Sequence, residues 1–134
     1  MPNLETANAQ KNRKGLSRLW HAMHFSIAGL KAAWHETAFR QESIAALVLV
    51  PSAIYLGANW LERSLLIGSA IGVLVVELLN TAIESALDRI GTEWHPLTKR
   101  AKDMGSAAVL LTLLWCGTTW CAAIYANFLH KIGV

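Results

Sequence analysis

Polar and apolar positions fall into long blocks along this chain, and the block boundaries predict its elements. Residues 1–15 are polar and mixed in charge, with a basic cluster at Lys11, Arg13 and Lys14, and read as a loose tail. From Leu16 the pattern turns periodic. Leu16, Leu19, Trp20, Met23, Ile27, Leu30 and Trp34 recur at the spacing of one helical stripe, with Ser17, Arg18, His21 and Lys31 lying off it. This predicts a basic amphipathic helix over 16–34, of the kind that lies in a membrane interface with its stripe in the acyl boundary. Residues 43–61 carry no charge and, at about 1.5 Å per residue, approach the thickness of a bilayer core. Pro51 marks a kink in that run, which a membrane helix tolerates, and Tyr55 and Trp60 are placed as interface anchors. Glu62 and Arg63 read as a very short turn. The next apolar run opens at Ser64 and must continue through Glu77 to about Ile90 to span. Gly91, Pro96 and the polar residues from Asp88 to Asp103 make a connection, after which 104–129 are again uncharged. The pattern predicts an all-α membrane protein. A single domain over 1–134 has three spanning helices (43–61, 64–90 and 104–129) behind the amphipathic surface helix.

Composition sharpens this picture. Of 134 residues 54% are apolar and 16% charged, with mean hydropathy +0.35, which excludes disorder, collagen and a disulfide scaffold. Cys116 and Cys121 lie five apart in one apolar run, so a helix points them about 140° apart, as packing residues and not a redox pair. A net charge of +3 on so apolar a chain fits anionic lipid better than nucleic acid. No apolar core occupies the first 25 residues, so no secretory signal peptide is expected. Six Lys and Arg precede the first span, four lie in 89–102, and Arg63 and Lys131 stand alone in the other two segments. The positive-inside rule then puts the amino terminus and second loop in the cytoplasm and the carboxy terminus outside.

Candidate chemistry concentrates in residues 77–89. Steps of three, four and four place Glu77, Asn80, Glu84 and Asp88 on one face of a helix running from membrane depth towards the cytoplasmic surface. A carboxylate in a membrane costs a few kcal/mol and marks a functional site by default. Solvation explains Asp88, near water, but not Glu77, the deepest of the four. Carboxylates with an amide suit Mg²⁺, which takes one or two carboxylates and shares its other positions with phosphate and water. The deeper carboxylate suits a general base, and Lys102 with Asp103 adds a point charge for phosphate and a further ligand. Neither common glycine-rich phosphate cradle is present. One three-helix subunit offers too little protein to shield Glu77 and Glu84 from lipid, so partner subunits are expected to close the site. His21 and His24 fit interfacial polarity, His95 before Pro96 fits turn chemistry or a nucleotide contact, and 68–72 is a small-residue helix-packing motif.

Four stretches carry a resemblance: Ala-Phe-Arg-Gln-Glu at 38–42, Glu-Leu-Leu-Asn-Thr-Ala-Ile-Glu at 77–84, Asp-Arg-Ile-Gly at 88–91 and Lys-Arg-Ala-Lys-Asp-Met-Gly-Ser-Ala-Ala-Val at 99–109. Together they resemble the bacterial integral-membrane diacylglycerol kinases, over roughly residues 18–127. The resemblance implies a homotrimer of three-span subunits in the bacterial inner membrane. It also implies transfer of phosphate from MgATP to diacylglycerol, giving phosphatidic acid at sites shared between subunits. It puts the catalytic base on Glu77 and the metal carboxylates on Glu36 and Glu84, both of which also face the nucleotide. Nucleotide contacts fall on Arg18, Phe25, Glu93, Trp94, His95, Lys102 and Asp103. Asn80, Glu42 and Asp88 would support the site, and Ser106, with Arg18, would sit near the lipid. The chain departs from the family pattern twice. It is one residue shorter between Trp34 and Glu36, which makes Glu42 the reserve ligand, and Phe25 stands where Tyr is frequent, without its hydroxyl.

Two other functions compete. A polyprenol kinase such as undecaprenol kinase shares the Asn-Thr-Ala-Ile-Glu core and His95-Pro-Leu, whereas 38–42 and 104–108 favour the glycerolipid branch. A small transporter or proton relay would also use intramembrane Glu77 and Glu84.

Overall fold

The computed structural model describes residues 15–91 and 93–131. Their order is α1 (Leu16–Ala33), α2 (Thr37–Leu56), α3 (Trp60–Ile90) and α4 (Pro96–Lys131), with no strand among the described residues. The expected tail up to residue 14 lies outside them. Two compact units result: α1 belongs to the first, and Ala33 opens the second, which holds the other three helices.

Helix α1, which lies in the first unit up to Ala32, is the predicted amphipathic helix. Trp20, Met23 and Ile27 keep their side chains together on one face, with His24 at the edge of that cluster. Leu19, Trp20, Met23, Ile27 and Leu30 are exposed, as a stripe meant for an acyl boundary would be.

In the second unit α3 is the central element, packed along both α2 and α4, while α2 and α4 barely meet. Small residues make this approach possible. Ala53 of α2, Ser69 and Ala70 of α3 and Ala123 of α4 are buried with Leu66, Val73, Cys116 and Trp120 in one core. Ser69 keeps its hydroxyl satisfied by donating to the Leu66 carbonyl at 2.8 Å, and Trp120 Nε1 donates to that same carbonyl at 3.3 Å. Cys116 packs in this core and Cys121 is exposed, so the two thiols do occupy different faces. Of the small-residue pair at 68 and 72, a Cβ at Gly72 would meet Trp115 at 3.1 Å, whereas Gly68 faces open space.

The turn expected at Glu62–Arg63 is corrected: both residues lie in the first turn of α3, and the chain reverses at residues 57–59. Capping decides it. Asn59 Oδ1 accepts from the Glu62 backbone N–H at 3.0 Å, and Glu62 Oε2 accepts from the Ala58 N–H at 2.8 Å, so the helix is fixed to start at Trp60. Arg63 Nε donates to the Gly57 carbonyl at 2.9 Å and closes the turn from the other side. Residues 57–59 carry no charge, so the turn is marked instead by the Asn-x-x-Glu spacing at 59–62.

Helices α3 and α4 are each long and apolar enough to cross a membrane. Helix α2 is shorter at 20 residues and carries Arg40 and Glu42 in its first turns. The turn chemistry yields a direct expectation. Asn59→Ala should lower stability by about 1 kcal/mol, the usual value of an N-cap. Gly57→Ala should cost more, because its Cβ would lie 2.5 Å from Arg63 Cγ and 2.9 Å from the Arg63 nitrogen. Thermal unfolding in one detergent, comparing both variants with the unsubstituted chain, checks the order.

Candidate functional site

Glu77, Asn80, Glu84 and Asp88 lie in the carboxy-terminal half of α3, beyond the small-residue core. Glu77 is 5% exposed, enclosed by protein of its own chain. The expectation that a single subunit leaves it open to lipid is therefore corrected: α3 is sandwiched by α2 and α4, and that packing covers Glu77. Glu84, two turns further on, is half-buried, and Asp88 is exposed. The face inferred from spacing thus grades from enclosed to open.

Three further carboxyl and amide groups gather on this gradient. Glu42 of α2 is half-buried and lines a small space with Ala70 and Val73 of α3, the latter one helical turn before Glu77. Asn80 Nδ2 donates to Glu84 Oε1 at 3.3 Å, fixing one oxygen of that carboxylate. Asn80 Oδ1 and Glu42 Oε2 are both buried without a hydrogen-bond partner. A buried polar atom left unpaired is costly, which marks both as positions awaiting a partner.

Glu36 sits at the N-cap of α2 in an extended conformation, and its side chain makes no capping hydrogen bond. Its carboxylate is left for other work. The turn that carries it is tied down by Arg40: Nη1 donates to the carbonyls of Trp34 at 3.4 Å and His35 at 3.1 Å, and Nη2 to Thr37 Oγ1 at 3.3 Å. Sequence reading missed this duty of Arg40. It was hidden inside the 38–42 motif and has no periodic signature.

At the exposed end, Lys102 Nζ of α4 donates to Asp88 Oδ1 of α3 at 2.6 Å, and Lys99 pairs with Asp103 at 2.5 Å. Lys102 stands ahead of the uncharged run 104–129. Its hydrogen bond to Asp88 holds its ammonium above the ordinary value, with the charges of Asp88 and Glu84 adding to that. These residues line a cavity of about 370 Å³ together with Glu93, Trp94 and His95, so six of the sequence-derived positions meet in one place. Thr98 and Lys99 join them, the latter from the 99–109 motif without a role assigned in advance. His95 also begins α4: its Nδ1 accepts from the Leu97 N–H at 3.2 Å and its carbonyl from the Lys99 N–H at 3.0 Å. Pro96 at the first helical position completes that start.

Not every candidate gathers here. Ser106 is exposed on α4, without a side-chain hydrogen bond among the described residues. Arg18 and Phe25 are exposed on α1, in the other unit.

Among the described residues no three Asp, Glu, His or Cys side chains form a self-sufficient metal cage. A hard cation that keeps water and phosphate oxygens as ligands needs only one or two protein carboxylates. Glu36, free of its cap, and Glu84, held by Asn80, fit that requirement.

Comparison with known proteins gives the family. Residues 24–124 match the prokaryotic diacylglycerol kinase family. Diacylglycerol kinase of Escherichia coli strain K12 is 48% identical over 118 residues, covering 87% of this chain and 97% of that relative. The Haemophilus influenzae enzyme of the same name is 46% identical over 107 residues, covering 79% and 91% respectively. That of Pseudomonas aeruginosa PAO1 is 46% identical over 111 residues, covering 82% and 90%.

The open cavity makes one expectation measurable without any assay of chemistry. Lys102→Met removes the cation beside Asp88 and should weaken binding of a nucleoside triphosphate. An exposed ion pair contributes little to stability, so the unfolding midpoint should stay close to that of the unsubstituted chain. Calorimetric titration with ATP and a thermal melt of the same sample check both halves.

Proposed function

The chain belongs to the prokaryotic diacylglycerol kinase family and is a kinase, and from that premise we propose that it moves the γ-phosphate of ATP onto the free hydroxyl of diacylglycerol, yielding phosphatidic acid. The observation that carries this reading is the gradient along α3. An enclosed carboxylate, Glu77, stands about 10 Å along the helix axis from a half-open one, Glu84, which lies one helical turn before Asp88 at the polar cavity. A lipid hydroxyl sits near the polar–apolar boundary, and a nucleotide comes from water. The depths match the two substrates.

In this mechanism Glu77 accepts the hydroxyl proton as the lipid oxygen attacks the γ-phosphorus. The new P–O bond forms while the bond to the β–γ bridging oxygen breaks, and ADP leaves. Glu36 and Glu84 would hold Mg²⁺, which when bound neutralises charge on the triphosphate. Asn80 orients Glu84. Lys102 exchanges its Asp88 partner for a phosphate oxygen, and Asp103, Glu93, Trp94 and the Nε2 side of His95 border the nucleotide. Arg18 and Phe25 of α1 are assigned phosphate charge and an adenine-facing ring by the family resemblance. Glu42 backs Glu77 from α2, and Ser106 is assigned to the lipid side.

An apolar cleft of about 430 Å³ between α2 and α3, lined by Ala46, Leu47, Val50, Pro51, Ile71 and Leu74, supports a lipid substrate, since an acyl chain suits such a lining. We place α2 as the third crossing helix beside α3, in the inner membrane, with the amino terminus cytoplasmic and the carboxy terminus periplasmic. The Lys and Arg distribution supports that orientation. A homotrimer is proposed as well. Glu77 is covered within one subunit, so the argument for assembly rests on exposed Glu36 and half-exposed Glu84, which a neighbouring subunit would enclose.

Two measurements test the proposal. Membranes carrying the chain, given ATP with diacylglycerol and undecaprenol in competition, should label phosphatidic acid. Label confined to undecaprenyl phosphate would assign the polyprenol reaction, and no label would remove the kinase reaction. Glu77→Gln keeps the shape and removes the basic oxygen, so turnover should fall a hundredfold to ten-thousandfold, about 3–5 kcal/mol of barrier. Turnover within about threefold of the unsubstituted chain would exclude Glu77 as the base.

A further inference from the structure

Gly105 of α4 is buried against Asn80 of α3, and this contact has no room for a side chain. A Cβ at Gly105 would overlap Asn80 Oδ1 and would lie 3.3 Å from its Cγ and 3.9 Å from its Cβ. By contrast, a Cβ at Gly117 on the same helix would meet nothing within 4 Å. The carboxamide that fills the slot is the one whose Nδ2 donates to Glu84 at 3.3 Å and whose Oδ1 is buried without a partner. The Asn80 side chain has two rotatable bonds, so an added methyl group at 105 can be relieved by swinging the amide, without parting the helices. That swing takes Nδ2 off Glu84.

We infer that Gly105 is a positioning residue for phosphoryl transfer: the side chain it lacks is the slot that seats the Asn80 carboxamide and so aims Glu84. The inference rests on the kinase reading above. It assigns the glycine a task in the reaction and not only in helix packing. An α-helix interior otherwise favours Ala over Gly by about 1 kcal/mol, so helix propensity gives no reason for glycine here.

The test uses four full-length proteins: the unsubstituted chain, Asn80→Ala, Gly105→Ala and the double variant. Phosphorylation of diacylglycerol is followed across a Mg²⁺ titration, with a thermal melt of each protein. If Gly105 acts through Asn80, each single variant needs about tenfold or more Mg²⁺ for half-maximal activity, the scale of a lost hydrogen bond to a charged group. The double variant then matches Asn80→Ala, because no amide remains to be displaced. Losses that add in the double variant, or a Gly105→Ala titration like that of the unsubstituted chain, overturn the inference. Should Gly105→Ala fail to fold, the double variant must recover both folding and the Asn80→Ala titration, and its failure to do so overturns the inference equally. An unsubstituted chain inactive on diacylglycerol overturns the kinase reading itself, and this inference with it; an active one with additive variants overturns only the role of Gly105.

Discussion

The enclosure of Glu77 in an apolar three-helix sandwich is the constraint on which the other features depend. A carboxylate at membrane depth is costly, and a helix bundle that keeps one must bring it protein on every side. Here α3 supplies Glu77, and α2 and α4 cover it. Close covering requires small residues at the crossings. Ala53, Ser69, Ala70 and Ala123 serve the core, and Gly105 serves the polar end. The same helix then carries the chain of polar groups outward, through Asn80 and Glu84 to Asp88, so that a buried acid and a half-open one share one rigid element. A 31-residue helix fixes their separation better than any loop could.

The connections are set by local hydrogen bonds that serve the site. Arg40 ties the turn before α2, and with it Glu36. Asn59 and Glu62 fix the start of α3, and therefore the register in which Glu77 meets α2. His95 and Pro96 fix the start of α4 and place Lys99, Lys102 and Asp103 around the cavity. Each connection is short, and each is braced by hydrogen bonds from residues that begin the next helix.

Much of this could be read from sequence. The amphipathic stripe of α1 and the common face of Glu77, Asn80, Glu84 and Asp88 follow from helical spacing, and the end of α3 at Ile90 follows from the length a span requires. What spacing could not reach was contact between helices. The roles of Arg40 and Gly105 depend on which atoms meet across a turn or a crossing, and neither leaves a periodic trace. Glu36 was legible only through family resemblance, since a lone acid at a helix start ordinarily reads as a cap. The misplaced turn at Glu62–Arg63 came from treating charge as the boundary of an apolar run when the Asn59 cap was the stronger physical signal. The burial of Glu77 within one subunit was likewise beyond a linear reading, which saw three helices but not the one between the other two.

The central claim is that depth along α3 separates the two carboxylates into different tasks, the enclosed one acting on the lipid and the half-open one on the nucleotide's ion. Electron paramagnetic resonance titration of Mn²⁺ in the presence of a non-hydrolysable ATP analogue reads the ion's binding without any turnover. Glu77→Gln is expected to bind the Mn²⁺ nucleotide as the unsubstituted chain does, and Glu84→Gln to lose it. Equal loss in both variants, or loss in Glu77→Gln alone, would contradict the separation.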